Sequence, residues 1–342
     1  MEEKNKIAVT GATGLVGSHL LVKLASENKR IIALFRSVSS KKIVVQLFNH
    51  YNKASYYKNV EWIKADVLDL ESLKKAFKNA KEVYHTAALV SFEKKDTEKL
   101  EQVNVGGTKH VLEAMLFNRI EKIMLVSSVA SIRDLNEKGY FSEQGTVEGN
   151  RGWNPYSKSK YDAENLVLSY HKKGVKSVII NPGVILGPGK ITKSSTAIFD
   201  TINNGLKFYT KGINGFVDVR DVVDSLIGLS KKERTKERYV CVGKNISFKD
   251  IFEIIAKALN VKPPKYKANK LMLSIAWRAE YAIAKVAGRA PKITRDNTQA
   301  GLEIMKYDSS QLKNELDFEF RTMEQACVNA VSFFDKIKEE KY

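Results

Sequence analysis

An apolar run at Ile7–Thr10 breaks into Thr10-Gly11-Ala12-Thr13-Gly14-Leu15-Val16-Gly17 and resumes as an amphipathic stretch from Leu15 to Ser26. A strand that passes through three glycines straight into a helix has few uses. Gly11 permits the tight turn, Gly14 lets backbone approach a bound group, and Gly17 lets the helix pack on the strand. The helix start then offers unpaired N–H groups and the positive end of the helix dipole, which favour phosphate. Glycine triplets also serve ordinary turns. The strand before and the helix after are what point to a dinucleotide pyrophosphate, with Gly11, Thr13, Gly14, Leu15, Val16 and Gly17 around it.

The same theme continues. Apolar runs at Ile31–Phe35, Glu61–Lys64, Val83–Thr86, Ile123–Ser127 and Val175–Asn181 alternate with helical patterns at Leu70–Asn79, Val103–Asn118 and Tyr156–His171. This alternation predicts an α/β fold, a Rossmann-type doubly wound parallel sheet wrapped on both faces. Beyond about residue 185 the pattern loosens into helical segments at Thr196–Gly205, Val222–Ser230, Asp250–Leu259, Leu271–Val286 and Met323–Lys338. Short strand candidates at Phe216–Val219 and Tyr239–Val242 lie among them. We expect a cofactor-binding domain over 1–185 and a smaller, partly interleaved C-terminal substrate lobe over 186–342. A length of 342 residues supplies core for both, and no Gly/Ser linker divides them.

Composition narrows the function. Cys241 and Cys327 are far apart and the five histidines are scattered, so neither a disulfide framework nor a metal site is expected. The charged start runs directly into a strand, which points away from a secretory leader and towards a reducing cytoplasm. A formal charge of +18 favours anionic partners, although a lysine-rich solvated surface accounts for it equally well. The lysines alternate with acids and lack aromatic RNA-binding motifs, so no nucleic acid is expected. Leu271–Gly288 combines Trp277, Tyr281 and many aliphatics with Arg278, Glu280 and Lys285, too charged to span a bilayer. Between the basic flanks Lys262–Lys270 and Arg289–Arg295, the favoured reading is an amphipathic core helix. A cover for an apolar pocket or a peripheral membrane contact is the alternative.

At the end of the second run stands Phe35-Arg36-Ser37, followed by Lys41 and Lys42. A carboxylate there would bond a ribose 2′-hydroxyl and favour NAD(H). Arg36 instead can stack on adenine and pair with a 2′-phosphate, so NADP(H) is the preferred cofactor and NAD(H) stays open. Asp66 and Val67 end the third run, where the carboxylate can reach the adenine amino group. Thr86, Ala87 and Ala88 end the fourth in small residues that leave the cofactor room. His85, inside that buried run, reads as a satisfied core histidine rather than a base.

Asn154-Pro155-Tyr156-Ser157-Lys158-Ser159-Lys160 carries the chemistry. Tyr156 and Lys160 are one turn apart on one helix face. A tyrosine hydroxyl ordinarily titrates near 10, and a neighbouring ammonium with a positive nicotinamide would lower that value towards useful acid–base exchange. Ser128, at the end of the Ile123–Ser127 run, would hold a substrate carbonyl beside Tyr156. Ser127 and Ser131 suit a cap or turn role better.

Together these pieces resemble the extended short-chain dehydrogenase/reductases, the NAD-dependent epimerase/dehydratase family. That family includes epimerases, dehydratases, dihydroflavonol reductases and 3β-hydroxysteroid dehydrogenases. The matching motifs are TGATGLVG at 10–17, ADVLD at 65–69, VYHTAA at 83–88 and NVGGT at 104–108. They continue with VSS at 126–128, YSKSK at 156–160, NPGVILGPG at 181–189 and FVDVRDV at 216–222. The segments 307–312 and 316–322 resemble the close of the reductase-like branch. The resemblance implies a catalytic triad of Ser128, Tyr156 and Lys160, with Lys160 also on the nicotinamide ribose. It further implies Asn104 as an interior support and Pro182, Gly183, Val184 and Ile185 as a wall against the nicotinamide. A homodimer through 103–118 and 156–171 is part of the same expectation.

Three activities fit. A carbonyl reductase or alcohol dehydrogenase on a small organic molecule leads. A nucleotide-sugar epimerase uses the same triad, but Gly212-Ile213-Asn214-Gly215 lacks the arginine that grips the diphosphate in such enzymes, leaving Arg220 as a candidate or as a structural ion pair. Dehydration fits poorly, since Val129-Ala130-Ser131 supplies no acid pair. A non-catalytic NADP-binding sensor is the third, disfavoured by the complete triad.

Overall fold

The computed structural model describes residues 5–149, 152–191, 194–232, 237–286 and 301–339. Strands β1 (Lys6–Thr10), β2 (Ile31–Phe35), β3 (Val60–Lys64), β4 (Ala80–His85), β5 (Lys122–Val126) and β6 (Lys176–Pro182) form the main sheet with β9 (Arg238–Cys241). Their order is β9-β6-β5-β4-β1-β2-β3, and every pairing is parallel. A second sheet runs β10-β8-β7, from β7 (Val184–Leu186), β8 (Ile213–Asp218) and β10 (Lys244–Ser247).

The period of two along the strands sorts the core. Ile7, Val9, Tyr84 and Met124 face one side with α1 (Leu15–Ser26) and α2 (Lys42–His50). Ala8, Val83, Ile123 and Leu125 face the other, with α3 (Leu70–Ala76), α4 (Gly107–Phe117) and α5 (Pro155–Ser169). Helix starts are set locally. Asp69 caps α3 by accepting from Ser72 N at 3.1 Å, and Asn154 forms a capping box with Ser157 ahead of Pro155 at the first turn of α5.

Two differences from expectation lie near the site. α2 falls in a stretch to which no element is assigned from sequence; Ile43, Val44, Leu47 and Phe48 bury one face of this short helix behind a polar lead-in rich in serine and lysine. The stretch expected as one helix over 103–118 begins instead as a π-helical turn, Glu101–Gly106, and becomes α-helical only at Gly107. That wider turn carries Asn104 into the interior. Beyond 185, α6 (Ala197–Asn203), α7 (Val219–Ser230), α8 (Phe248–Ala258), α9 (Lys270–Val286), α10 (Ser310–Leu316) and α11 (Met323–Glu339) complete the chain. β9 joins the main sheet from this later half. Arg289–Arg295, the second basic flank, lies outside the described residues.

α1 packs on α7 through a junction that buries His19. Its Nδ1 lies 2.8 Å from Leu15 O, and its ring meets Tyr51 edge-on at 5.6 Å. Burial lowers the His19 pKa from 6.5 to about 4, against partial opposition from the Leu15 carbonyl and Asp218. The unfolded chain therefore takes up this proton first. Stability from neutral His19 is complete above 6.5 and lost as pH falls towards about 4, by about 3 kcal/mol. Denaturant midpoints followed from pH 7.5 to pH 4 should fall, and fall less steeply in His19→Gln; an identical slope would place the acid sensitivity elsewhere.

Candidate active site

β1 lies between β2 and β4, so the sheet order reverses at its carboxyl end and opens a crevice there. The glycine turn fills that position. Gly11 sits at φ +64°, and a Cβ on it would meet Ala87 N at 2.5 Å. A Cβ on Gly17 would collide with the Gly11 carbonyl. Gly11 is therefore required by conformation as well as by contact, and Gly17 by contact alone. Gly14 is the N-cap of α1, with no side-chain cap and no acid in the first turn, which suits a pyrophosphate. Thr13, Leu15 and Val16 lie in the same turn. Leu15 reaches the segment after β7, its Cδ1 lying 3.0 Å from where a Gly189 Cβ would be.

Across the crevice, Thr86 Oγ1 donates to Thr10 O at 2.7 Å and Ala87 N to Thr10 Oγ1 at 3.3 Å, pinning the turn before Ala88. His85 is buried between Thr10 and Thr108, its nitrogens 2.6 and 3.0 Å from their hydroxyls. Thr108 spends its proton on Asn104 O at 2.6 Å, so His85 Nε2 must carry the hydrogen and Nδ1 accepts from Thr10. Burial, with Lys160 nearby, lowers the His85 pKa to about 3. It is a neutral structural histidine.

Arg36 ends β2 with 74% of its side chain exposed, and its Nη1 is 4.0 Å from Asp66 Oδ2. The neighbouring strand thus supplies the carboxylate that Phe35-Arg36-Ser37 lacks. A loose, exposed pair of this kind holds Arg36 weakly and leaves it able to turn to a ligand. Lys41 is committed elsewhere, its Nζ 3.7 Å over the Phe35 ring. Lys42 opens α2. The Val67 carbonyl is 3.0 Å from His110 Nδ1. Pro182 ends β6, Gly183 passes so close to Gly215 that a Cβ would strike its carbonyl, and Val184 and Ile185 are half-buried on β7.

Tyr156 meets the Ser128 side chain, and Lys160, one turn further along the helix, reaches the end of β5. Tyr156 and Lys160 lie on α5 and are 8% and 3% exposed. Ser128 stands at the end of β5 as the cap of a short 3₁₀ turn, its Oγ accepting from Ala130 N at 3.1 Å. The cap role expected of Ser127 or Ser131 falls to Ser128, while Ser131 keeps a turn role, its Oγ 2.7 Å from Ser128 O, and the Ser127 hydroxyl is drawn inward. Lys160 Nζ donates to Val126 O at 2.8 Å. Burial lowers its pKa to about 8, while Glu164 raises it. Tyr156 runs against the expected lowering. Burial raises its pKa, a hydrogen bond with the Ser128 side chain lowers it, and Glu164 raises it. Desolvation and the Glu164 charge outweigh the Ser128 hydrogen bond, so the phenol is held protonated. Phe92 packs edge-on against the ring at 5.4 Å. Asn104 supports the site from behind, with Nδ2 on Leu89 O at 3.0 Å and Ser159 Oγ at 2.9 Å.

Sequence reasoning missed Glu164. It lies two turns beyond Tyr156 on the same face and is fully buried. Ser127 Oγ, Ser131 Oγ at 2.5 Å and Asn181 Nδ2 at 2.6 Å all donate to its Oε1, and Arg238 Nε is 3.2 Å from Oε2. Asn181 also donates to the Ser128 carbonyl at 3.1 Å. The two neighbours of Ser128 that bracket it in sequence are thus tied to the helix that carries Tyr156 and Lys160. The signal was present as the spacing Tyr156-x-x-x-Lys160-x-x-x-Glu164.

A crevice with a glycine cradle beside a Ser–Tyr–Lys cluster defines a nicotinamide-dependent oxidoreductase. Residues 7–242 match the model of the NAD dependent epimerase/dehydratase family, and the chain belongs to that family. It is an NAD(P)-dependent enzyme of the extended short-chain dehydrogenase/reductase type. It is 29% identical over 335 residues to a dihydroflavonol 4-reductase-like protein of Synechocystis sp., covering 95% of this chain and 93% of that one. Sterol demethylase protein B of Methylococcus capsulatus is 26% identical, covering 95% and 97%. The crystal structure of gox2253 superposes with a TM-score of 0.77 at 28% identity, covering 97% of this chain and 98% of the other.

Removing the buried carboxylate takes the shared acceptor from three donors and the buried counter-charge from Arg238. Glu164→Ala should cost about 3–5 kcal/mol in thermal or denaturant unfolding, and Glu164→Gln, which keeps one acceptor oxygen, distinctly less. Equal, small losses for both would mean that Glu164 does not hold the cluster together.

Proposed function

We propose that the chain is an NADPH-preferring carbonyl reductase or alcohol dehydrogenase acting on a small organic substrate. The convergence of Ser128, Tyr156 and Lys160 beside the glycine cradle carries this reading. When bound there, the reduced nicotinamide supplies hydride to the carbonyl carbon. Ser128 Oγ–H holds the carbonyl oxygen, and Tyr156, kept protonated by burial, donates the proton that completes the alcohol. Lys160, an ammonium at neutral pH, steadies the phenolate left on Tyr156 and is the residue we assign to the nicotinamide ribose. Asn104 is a positioning residue in this scheme. Gly11, Thr13, Gly14, Leu15, Val16 and Gly17 take the pyrophosphate, Asp66 and Val67 the adenine side, and Thr86–Ala88 with Pro182–Ile185 the nicotinamide side. On this reading residues 1–185 serve the cofactor and 186–342 the substrate. A homodimer through 103–118 and 156–171 goes with it.

One observation favours a reductase over a nucleotide-sugar epimerase. Arg220, the available grip for a diphosphate, is locked onto buried Asp218, with Nη2–Oδ2 at 2.5 Å and Nε 3.0 Å from Oδ1, and donates to Gln325 O at 3.2 Å. An arginine so paired is a structural tie. NADPH preference rests on Arg36 and its weak hold on Asp66.

The test is consumption of NADPH and NADH by the purified protein against ketones, aldehydes and nucleotide-diphosphate sugars. Carbonyl-dependent oxidation should fall about 10²- to 10⁴-fold in Tyr156→Phe. Arg36→Ala should raise KM for NADPH about 10- to 100-fold and leave NADH almost unchanged. Sugar interconversion without net consumption would instead make it an epimerase, and cofactor binding without any turnover a sensor.

A further inference from the structure

α9 has its polarity reversed. At 100° per residue, Leu271, Ile275 and Ala279 fall on one arc with Met272 and Ile283 beside them, and all five are exposed. The side chains of Leu271, Ile275 and Ile283 are 70%, 60% and 57% exposed. The opposite arc carries Leu273, Trp277 and Glu280, all half-buried, and buried Ala284. A helix on a water-facing surface normally turns its charges outward. Here the aliphatics face out and the one acid faces in. Just before α9 in the chain stands a short strand pair, Phe208–Tyr209 with Tyr266–Lys267, where the exposed rings of Phe208 and Tyr266 lie 5.8 Å apart.

Charge selects the occupant. Lys262, Lys265, Lys267, Lys270 and Arg278 are exposed along this segment, and Lys207 beside Phe208 adds another cation, against the single inward acid Glu280. A second copy placed on the same face about a twofold axis would set these lysines against their own equivalents, which opposes association. A surface that is apolar below and anionic above satisfies both features at once. Aliphatic side chains enter the acyl boundary while lysines reach up to headgroup phosphates and carboxylates. No helix among the described residues is long and apolar enough to cross a membrane, so the contact is one of lying on the surface.

We propose that α9, with the adjoining Phe208/Tyr266 ribbon, is an interfacial anchor that seats the enzyme on an anionic lipid surface. This reverses the preference for a core helix drawn from sequence, and it does not depend on the identity of the substrate.

Cosedimentation of the purified full chain with vesicles tests it, using phosphatidylcholine alone and phosphatidylcholine mixed with phosphatidylserine. Binding is expected to the mixed vesicles only, to weaken as salt rises, and to drop about tenfold or more in Leu271→Ser/Ile275→Ser. Both replaced side chains are exposed, and circular dichroism of the variant checks that its fold persists. Absence of binding to either vesicle, or equal binding by wild type and variant, overturns the proposal. A concentration-dependent dimer in light scattering that the double variant abolishes would give the face to a second copy and overturn it as well.

Discussion

The fully buried carboxylate of Glu164 is the joint on which the site depends. A charge taken out of water needs donors and a counter-charge around it, and here two hydroxyls and an amide donate to Oε1 while the Arg238 guanidinium stands 3.2 Å from Oε2. Those partners come from the end of β5, from β6 and from β9, while the acid itself belongs to α5. One side chain therefore fixes the spacing between the strand that ends in Ser128 and the helix that carries Tyr156 and Lys160. Misplacement by a fraction of an ångström would separate a proton donor from its acceptor, so a rigid joint behind the site has a direct chemical use.

Burial then decides the protonation states. Tyr156 and Lys160 are both removed from water, and desolvation favours the neutral form of each. The negative charge of Glu164 counters this for Lys160, preserving an ammonium at neutral pH, and reinforces it for Tyr156, keeping the phenol intact. A protonated phenol and an ammonium one helical turn apart are the states that the proposed proton transfer requires. His85, on the strand next to β5, shows the other limit: with both nitrogens satisfied by threonines and a pKa near 3, it is neutral ballast that locks the carboxyl end of β4 to β1.

How much of this was legible in sequence follows from range. α1 and β2 occur over the residues read as such, Leu15–Ser26 and Ile31–Phe35, because hydrophobic period and glycine placement are local signals. The glycine cradle and the Tyr156–Lys160 pair were legible for the same reason. Glu164 was not, because its meaning lies in partners 37, 33 and 17 residues away, and nothing in a helical stretch marks one acid as buried. The rise in the Tyr156 pKa was equally invisible: spacing reveals the neighbouring lysine, but burial is a property of the packed chain. The π-helical turn hid inside a good helical pattern at 103–118, since a one-residue widening leaves apolar periodicity almost intact. Asn104 was named from resemblance, while its physical task, tying Leu89 to Ser159, emerged only with the turn.

The strong positive charge acquires a sharper sense once placed. As a formula it permitted a solvated lysine-rich surface or a set of anionic partners. In the fold it divides. Arg220 and Arg321 are consumed in ion pairs with Asp218 and Asp221, and Lys160 is buried in the site. Arg36 stands exposed at the rim of the crevice, where only a weak carboxylate contact competes with a phosphate. The lysines of 262–270 stand exposed beside an aliphatic helix face, and cations next to exposed aliphatics suit a boundary layer better than open solvent. Charge that is paired builds the scaffold, whereas charge left exposed beside a crevice or an apolar face marks where an anion completes the surface.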